Sequence, residues 1–498
     1  MSSQPVNPGS PSPSEPPVSP SPAGAPPPDN LPALRNWLAA QPDATELAAL
    51  PIREITIRSN ALAGLPDLLN SLDAPRRIVL IQDDRLYLRD GAPLKPLVQE
   101  LLAGAGRTVE VLTLPASPDG LAHADLENVA RGRAAIDGQP TTVIALGSGT
   151  VCDVAKHACF TAEGEDGAQT VLVLVPTAAS VTAFTSSLAV LLVDGVKRTR
   201  PSRFPDAVVC DLETLAAAPA AMTRAGLGDC VARFISYGDW YLAHQLGLVD
   251  RYSETPLAMM GEDLDETYLQ HAPLVAQGTP EGMTFLVRQV LFAGLAQSIV
   301  QISTPLSGTE HVVSHVLDMG AHAWGRQTAL HGAQVGVATA MAARAYELLH
   351  ERFDPGRPRP APPAPDAVEA RIRETFGVLD PSGRMAAECW RDYSRKLALW
   401  TASEAQFDAV RERWDDMVGP RLRQLVRPSA TIREILRRTA HPLTFAVLDS
   451  PIPREQARFA LANAHLIRER FVIGDLLWWL DLAGPEFADD LLAASDDA

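Results

Sequence analysis

Asp229, His311 and His331 are far apart in the chain, yet their types and neighbours suit one metal site. Asp229 closes Gly226-Leu-Gly-Asp229, His311 lies in Ser307-Gly-Thr-Glu-His311-Val-Val-Ser-His315, and His331 sits in Leu330-His-Gly-Ala-Gln-Val-Gly336. One carboxylate with two imidazoles is a usual donor set for a catalytic divalent ion that keeps a position open for substrate. His315 follows His311 by four residues, so on a helix the two share a face and His315 is a fourth candidate. A lone histidine on an apolar face is ordinarily a core residue, and Asp229 could equally cap a helix. Three histidines within 21 positions, each beside small or polar residues, make the metal the sharper reading.

Upstream, an apolar run from Thr142 leads into Gly147-Ser148-Gly149-Thr150, and Asp153 and Lys156 follow on the helical side. Backbone amides at such a strand-to-helix turn point outward, and the helix dipole favours a phosphate there. Small residues at 147 and 149 let a pyrophosphate approach the main chain. The turn is not the six-position Gly-x-Gly-x-x-Gly fingerprint, and alone it is a weak signal. Asp83-Asp84 closes an earlier strand; a carboxylate there could accept hydrogen bonds from an adenosine ribose, or could be a solvated turn. Metal ligands downstream of a nucleotide-type turn suggest carbonyl–alcohol redox chemistry.

These residues need elements to hold them. At 498 residues the chain is long enough for two domains and a full core. Between residues 45 and 210 β-type runs (Arg77–Ile81, Val109–Leu114, Thr142–Leu146, Val171–Val175) alternate with helical patterns. This predicts an α/β nucleotide-binding domain with a parallel, Rossmann-like sheet. From residue 211 to 490 apolar residues recur at three- and four-residue spacing, over Cys230–Leu246, Met283–Ser303, Ala333–Leu349 and Ala457–Leu482. That predicts an all-α metal-binding domain, with the site in the cleft between the two. Residues 1–30 hold 11 of the 42 prolines and are expected to be disordered, and a second proline-rich block, 354–366, reads as an inserted loop. The last residues, from Ala493, are expected to fray.

Bulk properties narrow the partners. A formal charge of −17 argues against nucleic acid or an anionic membrane as a non-specific partner. Five cysteines without a CxxC pair suit a reducing, cytoplasmic setting, and no secretory signal is visible. Residues 170–193 carry no charge, but Pro176 interrupts them and seven hydroxyl side chains lie among them, so strand, polar loop and second strand are expected rather than a membrane span.

Five motifs in order, Gly-Ser-Gly-Thr-x-x-Asp-x-x-Lys (147–156), Val-Pro-Thr-Ala-Ala-Ser (175–180), Arg-Ala-Gly-Leu-Gly-Asp (224–229), Ser-Gly-Thr-Glu-His-x-x-Ser-His (307–315) and Leu-His-Gly-x-x-Val-Gly (330–336), resemble the sn-glycerol-1-phosphate dehydrogenases. That family sits in the superfamily of glycerol dehydrogenases, iron-containing alcohol dehydrogenases and 3-dehydroquinate synthases. His465-Leu-Ile-Arg468-Glu-Arg470-Phe471 is similar to the same group. The resemblance implies Asp229, His311 and His331 as ligands of one divalent metal, Zn²⁺ first, with Fe²⁺ or Ni²⁺ as the other choices. It implies Gly147, Ser148 and Gly149 at the pyrophosphate of NAD or NADP, with Asp153 and Lys156 behind, and Asp83 toward the ribose. Thr177 and Ser180 match a loop that touches the cofactor and faces the substrate, and His315 matches a proton-relay or supporting histidine. It further implies a small substrate, possibly phosphorylated, and self-association into a homo-oligomer.

Two departures stand out. Iron-type relatives carry a fourth ligand, a His four residues after the Asp, where this chain has Arg233; three ligands suit Zn²⁺, and Arg233 could hold an anionic substrate group. Relatives usually have Asp two residues after the loop Ser, where this chain has Thr182. Lys197 and Arg198 are further candidates for a substrate phosphate. The implied reaction is an NAD(P)-dependent, metal-assisted interconversion of a hydroxy-ketone and its alcohol, with dihydroxyacetone phosphate and sn-glycerol 1-phosphate as first choice. The alternatives are a dehydrogenase acting on an unphosphorylated alcohol and a 3-dehydroquinate synthase-like cyclase; Lys156 and the Gly-Leu-Gly-Asp motif count against the cyclase, which has Gly and Glu at those places.

Overall fold

The computed structural model describes residues 24–117, 120–193, 196–261 and 264–496. In chain order its longer strands are β1 (Glu54–Arg58), β2 (Arg77–Gln82), β3 (Thr108–Thr113), β4 (Thr141–Gly147), β5 (Thr170–Pro176), β6 (Leu188–Val193), β7 (Val196–Pro201) and β8 (Ala207–Asp211). Six of them form one parallel sheet in the order β1-β8-β5-β4-β2-β3, while β6 and β7 pair antiparallel as a separate hairpin. The segment 170–193 is therefore strand, loop and strand.

Alternation along the strands shows why the sheet is covered twice. Ile78 and Leu80 of β2 and Ile144 and Leu146 of β4 pack with Leu65, Leu69, Leu94, Val98 and Leu102. Val79, Ile81, Val143 and Ala145, one residue out of step, pack on the other face with Ile136, Val151, Val154 and Ala158. Every residue of β4 is buried, as a central parallel strand requires. The strand order reverses between β4 and β2: β3 lies beyond β2, whereas β5, β8 and β1 lie beyond β4. Such a switch point opens a crevice at the carboxyl ends of the two strands.

The helices that matter for the site are α1 (Leu31–Ala39), α2 (Gly149–Asp166), α3 (Ala220–Cys230), α4 (Arg233–Gln245), α5 (Pro280–Val300), α6 (Thr309–Ala321), α7 (His331–Arg352), α8 (Arg384–Ala402) and α9 (Ile473–Trp479). The C-terminal half is mostly helical, and its apolar residues join those of the second sheet face in one continuous core. Helix α5 is long and apolar enough to cross a membrane, but 78% of its most apolar window is buried inside the protein.

Several boundaries differ from the sequence reading. Residues 1–23 of the proline-rich head lie outside the described residues; Asp29 already pairs with Arg288 at 3.2 Å, and α1 follows at once, capped by Asn30. Cys230–Leu246 is two helices, α3 and α4. Residues expected to fray after Ala493 continue a helix, Phe487–Asp496. The expected helix Ala457–Leu482 is broken into Arg454–Asn463, a 3₁₀ turn Ala464–Ile467, a loop, and α9. Apolar spacing runs through that break because both flanking helices bury the same side. What interrupts them is polar: Lys396 of α8 donates to the carbonyls of His465 and Arg470, which a continuous helix would have used internally.

Candidate active site at the sheet edge and its metal centre

At the crevice, β4 ends in Gly147 and α2 begins at Gly149, so the amides of the turn face the strand ends. The Thr177 N–H donates to the Gly147 carbonyl at 3.1 Å, tying the end of β5 to the same turn. Asp83 follows β2; its Oδ1 accepts from the Arg85 N–H at 3.0 Å and lies 3.7 Å from Lys95 Nζ. Tyr87 lies beside both Asp83 and Thr177, and burial and the Asp83 charge push its phenol well up. Gly147, Thr177 and Asp83 thus meet at the switch point.

From Thr177 a buried loop runs toward the helical half. A Cβ on Gly149 would stand 2.6 Å from Val181 Cγ2, and one on Gly226 would stand 1.7 Å from the Ala179 carbonyl. The loop therefore lies directly on the nucleotide turn at one end and on α3 at the other, which only glycine permits at those places. It ends on Asp229: both the N–H and the Oγ1 of Thr182 donate to Asp229 Oδ2, at 2.8 and 3.0 Å.

Asp229, His311 and His331 converge, with one ligand atom from each lying within 4.8 Å of the others. The helices can approach because α3 meets α7 glycine to backbone; a Cβ on Gly332 would stand 2.0 Å from the Ala225 carbonyl. His311 Nε2 is 3.4 Å and His331 Nε2 3.8 Å from Asp229 Oδ1. Each ring is held through its other nitrogen, His311 Nδ1 by Glu310 Oε1 at 2.8 Å and His331 Nδ1 by Ser314 Oγ at 3.1 Å. Outer partners of this kind fix the ring orientation in metal sites. Asp229 Oδ1 is buried and has no close hydrogen-bond donor, only the two imidazole nitrogens at 3.4 and 3.8 Å, a setting that suits a bound cation. Burial alone would raise the Asp229 carboxyl, yet His311 and His331 hold it at about 2. Burial would lower His311, yet Asp229 and Glu310 lift it to about 9, while burial takes His331 down to about 4. The pocket favours positive charge beside Asp229, and a divalent cation fits its donor set, orphan oxygen and charge together.

The chain is similar to proteins of one known family. The profile of the family described as iron-containing alcohol dehydrogenase matches residues 56–219. A glycerol-1-phosphate dehydrogenase [NAD(P)+] of Bacillus velezensis is 30% identical over 306 residues, 61% of this chain and 74% of the relative. The chain belongs to the glycerol-1-phosphate dehydrogenase group of the iron-containing alcohol dehydrogenases. Its match to the Bacillus licheniformis glycerol-1-phosphate dehydrogenase [NAD(P)+] extends over 89% of the chain and 93% of that relative, at 27% identity. The crystal structure of glycerol dehydrogenase from Schizosaccharomyces pombe shares the fold, with a TM-score of 0.53 at 13% identity over 90% of each chain. As a member of this family the protein is an NAD(P)-dependent alcohol dehydrogenase.

Against that family frame, several expected site residues have other work. Arg233 is buried; its guanidinium donates to Tyr268 Oη at 3.2 Å, to the Met260 carbonyl at 2.6 Å and to Gln289 at 2.5 Å, so its hydrogen bonds are spent among the core helices. Lys156 is wholly buried, pairs with Asp153 at 2.8 Å and donates to the carbonyls of Ala183 and Leu188. Asp153 Oδ2 accepts from the Val190 N–H. These two residues fasten loop and hairpin to α2 and do not face the cofactor crevice; they lie three apart on the flank of α2 that meets the hairpin. Arg198 is paired with Asp392 and Glu388.

Other expected residues lie closer to the three converging side chains. Ser180 is buried in the loop between Thr177 and Thr182. Lys197, on β7, pairs with Asp318 at 2.5 Å, and Gln334 holds the other Asp318 oxygen at 2.9 Å. His315 stacks on His331 with ring centroids 6.1 Å apart and faces Arg468 at 3.3 Å through Nδ1. Burial first, then Arg468 and the two neighbouring histidines, hold it well below the usual histidine range. Glu310, Ser314 and Asp318 were missed by sequence reasoning. Glu310 and Ser314 adjoin the quoted motif histidines, and Asp318 falls seven residues after His311 on the same helix face, a spacing that could have shown it.

Proposed function

We propose that this dehydrogenase interconverts dihydroxyacetone phosphate and sn-glycerol 1-phosphate, with one Zn²⁺ held by Asp229, His311 and His331 and NAD(P) seated at Gly147, Ser148 and Gly149. The carrying observation is the orphaned Asp229 Oδ1 between two imidazole nitrogens, joined by one buried loop to the nucleotide turn. Relatives named glycerol-1-phosphate dehydrogenase support the substrate. Bound there, the ion supplies Lewis-acid polarisation of the carbonyl and the nicotinamide supplies hydride.

The chain's own groups do the rest. Thr182 orients the Asp229 carboxylate, and Glu310 and Ser314 turn the Nε2 atoms of His311 and His331 inward. Arg468 donates to His315 Nδ1, so the neutral ring keeps its hydrogen on Nε2 and can donate a hydrogen bond from there to the substrate oxygen. Thr182 replaces the family's expected Asp and its hydroxyl is engaged with Asp229, so no carboxylate stands at that place to hold a polyol. Recognition then falls to the cationic side of the cleft. Five buried free cysteines support a cytoplasmic setting.

Absorbance of NADH or NADPH reports the reaction. Dihydroxyacetone phosphate is expected to be reduced, the rate to vanish after dialysis against a strong chelator, and Zn²⁺ to restore it. An undiminished rate in chelated, metal-free protein would refute the metal's part, and turnover of unphosphorylated ketones alone would refute the substrate.

A further inference from the structure

The break between Asn463 and α9 is a built loop. Lys396 Nζ donates to the carbonyls of His465 at 2.7 Å and Arg470 at 3.1 Å, and pairs with the buried Asp475 at 2.8 Å. Asp475 in turn accepts from the Val472 N–H at 2.9 Å. Arg470 donates to the carbonyl and hydroxyl of Ser307 and to the hydroxyl of Ser303, so it pins the loop to the start of the His311 helix. Between these clamps one cation reaches instead to β7 and to His315 of α6.

That cation is Arg468. Its guanidinium donates to the Lys197 carbonyl at 2.6 Å and faces His315 Nδ1 at 3.3 Å, and among the described residues it forms no ion pair. Asp392, whose field reaches it, is taken by Arg198 at 2.8 Å, and Asp318 is taken by Lys197. Burial and the neighbouring Arg198 and Arg470 bring it down to about 10, so it keeps its charge at neutral pH in surroundings that disfavour it. A largely buried cation without a counter-ion is costly unless an anion arrives. Arg468 is brought near the metal residues through His315, which it touches at Nδ1 and whose ring centroid is 6.1 Å from that of His331 and 6.4 Å from that of His311. A ligand with an oxygen at the metal and an anion at Arg468 needs only a short carbon chain between them.

We infer that Arg468 receives the phosphate monoester of the substrate through its planar guanidinium, and so selects phosphorylated hydroxy-ketones over bare ones. This rests on the metal-site reading above. The test uses Zn²⁺-loaded wild type, Arg468→Gln and Arg468→Lys, with steady-state kinetics on dihydroxyacetone phosphate and on dihydroxyacetone, and calorimetric titration with inorganic phosphate. Arg468→Gln is expected to raise KM for the phosphorylated ketone about 30-fold and weaken phosphate binding about tenfold, with KM for the unphosphorylated ketone changed less than about twofold and any loss of kcat through His315 falling on both ketones alike; Lys should recover part of the KM and phosphate losses. Equal rises in KM for both ketones, or unchanged phosphate affinity in a variant with wild-type metal content and melting temperature, would overturn it. If wild type binds phosphate through Arg468 yet does not reduce dihydroxyacetone phosphate, the anion site stands and the substrate proposed above falls.

Discussion

Thr182 stands where a carboxylate is expected, and its surroundings explain why a hydroxyl works there. Its Oγ1 is 3.0 Å from Asp229 Oδ2, a place where a second carboxylate would repel the metal ligand. The side chain's hydrogen bond is therefore made to Asp229, and the role proposed for it is to hold that carboxylate. Thr182→Val keeps the shape and the backbone hydrogen bond but removes the hydroxyl, and is expected to weaken Zn²⁺ binding about tenfold, with Thr182→Ser near wild type. Competition with a fluorescent zinc chelator measures this directly; equal affinities for Val and Thr would remove the role.

At the scale of elements, the site is carried by a loop, a helix crossing and a helix break, and the sequence discloses these unequally. The metal residues were legible because Asp229, His311 and His331 sit beside glycines and hydroxyls that a core histidine does not need. Strand and helix alternation was legible because the sheet is buried on both faces. Asp153 and Lys156 were expected behind the cofactor turn; the partners they have on α2 and on the β6–β7 hairpin are not reported by the turn before them. Arg233 sat where a ligand was expected, and only packing shows its guanidinium enclosed by Tyr268, Met260 and Gln289. Arg468 was visible only as part of a family-like run, and its setting was hidden because the loop bearing it exists through Lys396, about 70 residues earlier in the chain, a partner no local pattern reports. Lys396→Met leaves Asp475 buried without its cation and should destabilise the protein by about 3–5 kcal/mol. Urea unfolding would show this, and proteolysis should cut first between residues 463 and 472; a midpoint equal to wild type would contradict the clamp.

Over the whole molecule, nucleotide turn and metal centre lie on different halves that share one core, and the loop from Thr177 to Thr182 couples them. Gly149→Val places a side chain where Val181 Cγ2 already lies 2.6 Å from a Cβ, so the loop must move at both ends. Turnover should fall about a hundredfold, with NADH affinity and Zn²⁺ affinity both reduced; a variant that loses only NADH binding would show the two sites to be independent.

The central claim is that one carboxylate and two imidazoles from three helices hold a single divalent ion. Calorimetric titration of chelator-stripped protein with Zn²⁺ tests it most directly. One equivalent is expected to bind tightly, and Asp229→Asn, folded to the same melting temperature, is expected to lose that binding. Tight binding that survives Asp229→Asn, or stripped wild type that takes up no ion, would contradict the account.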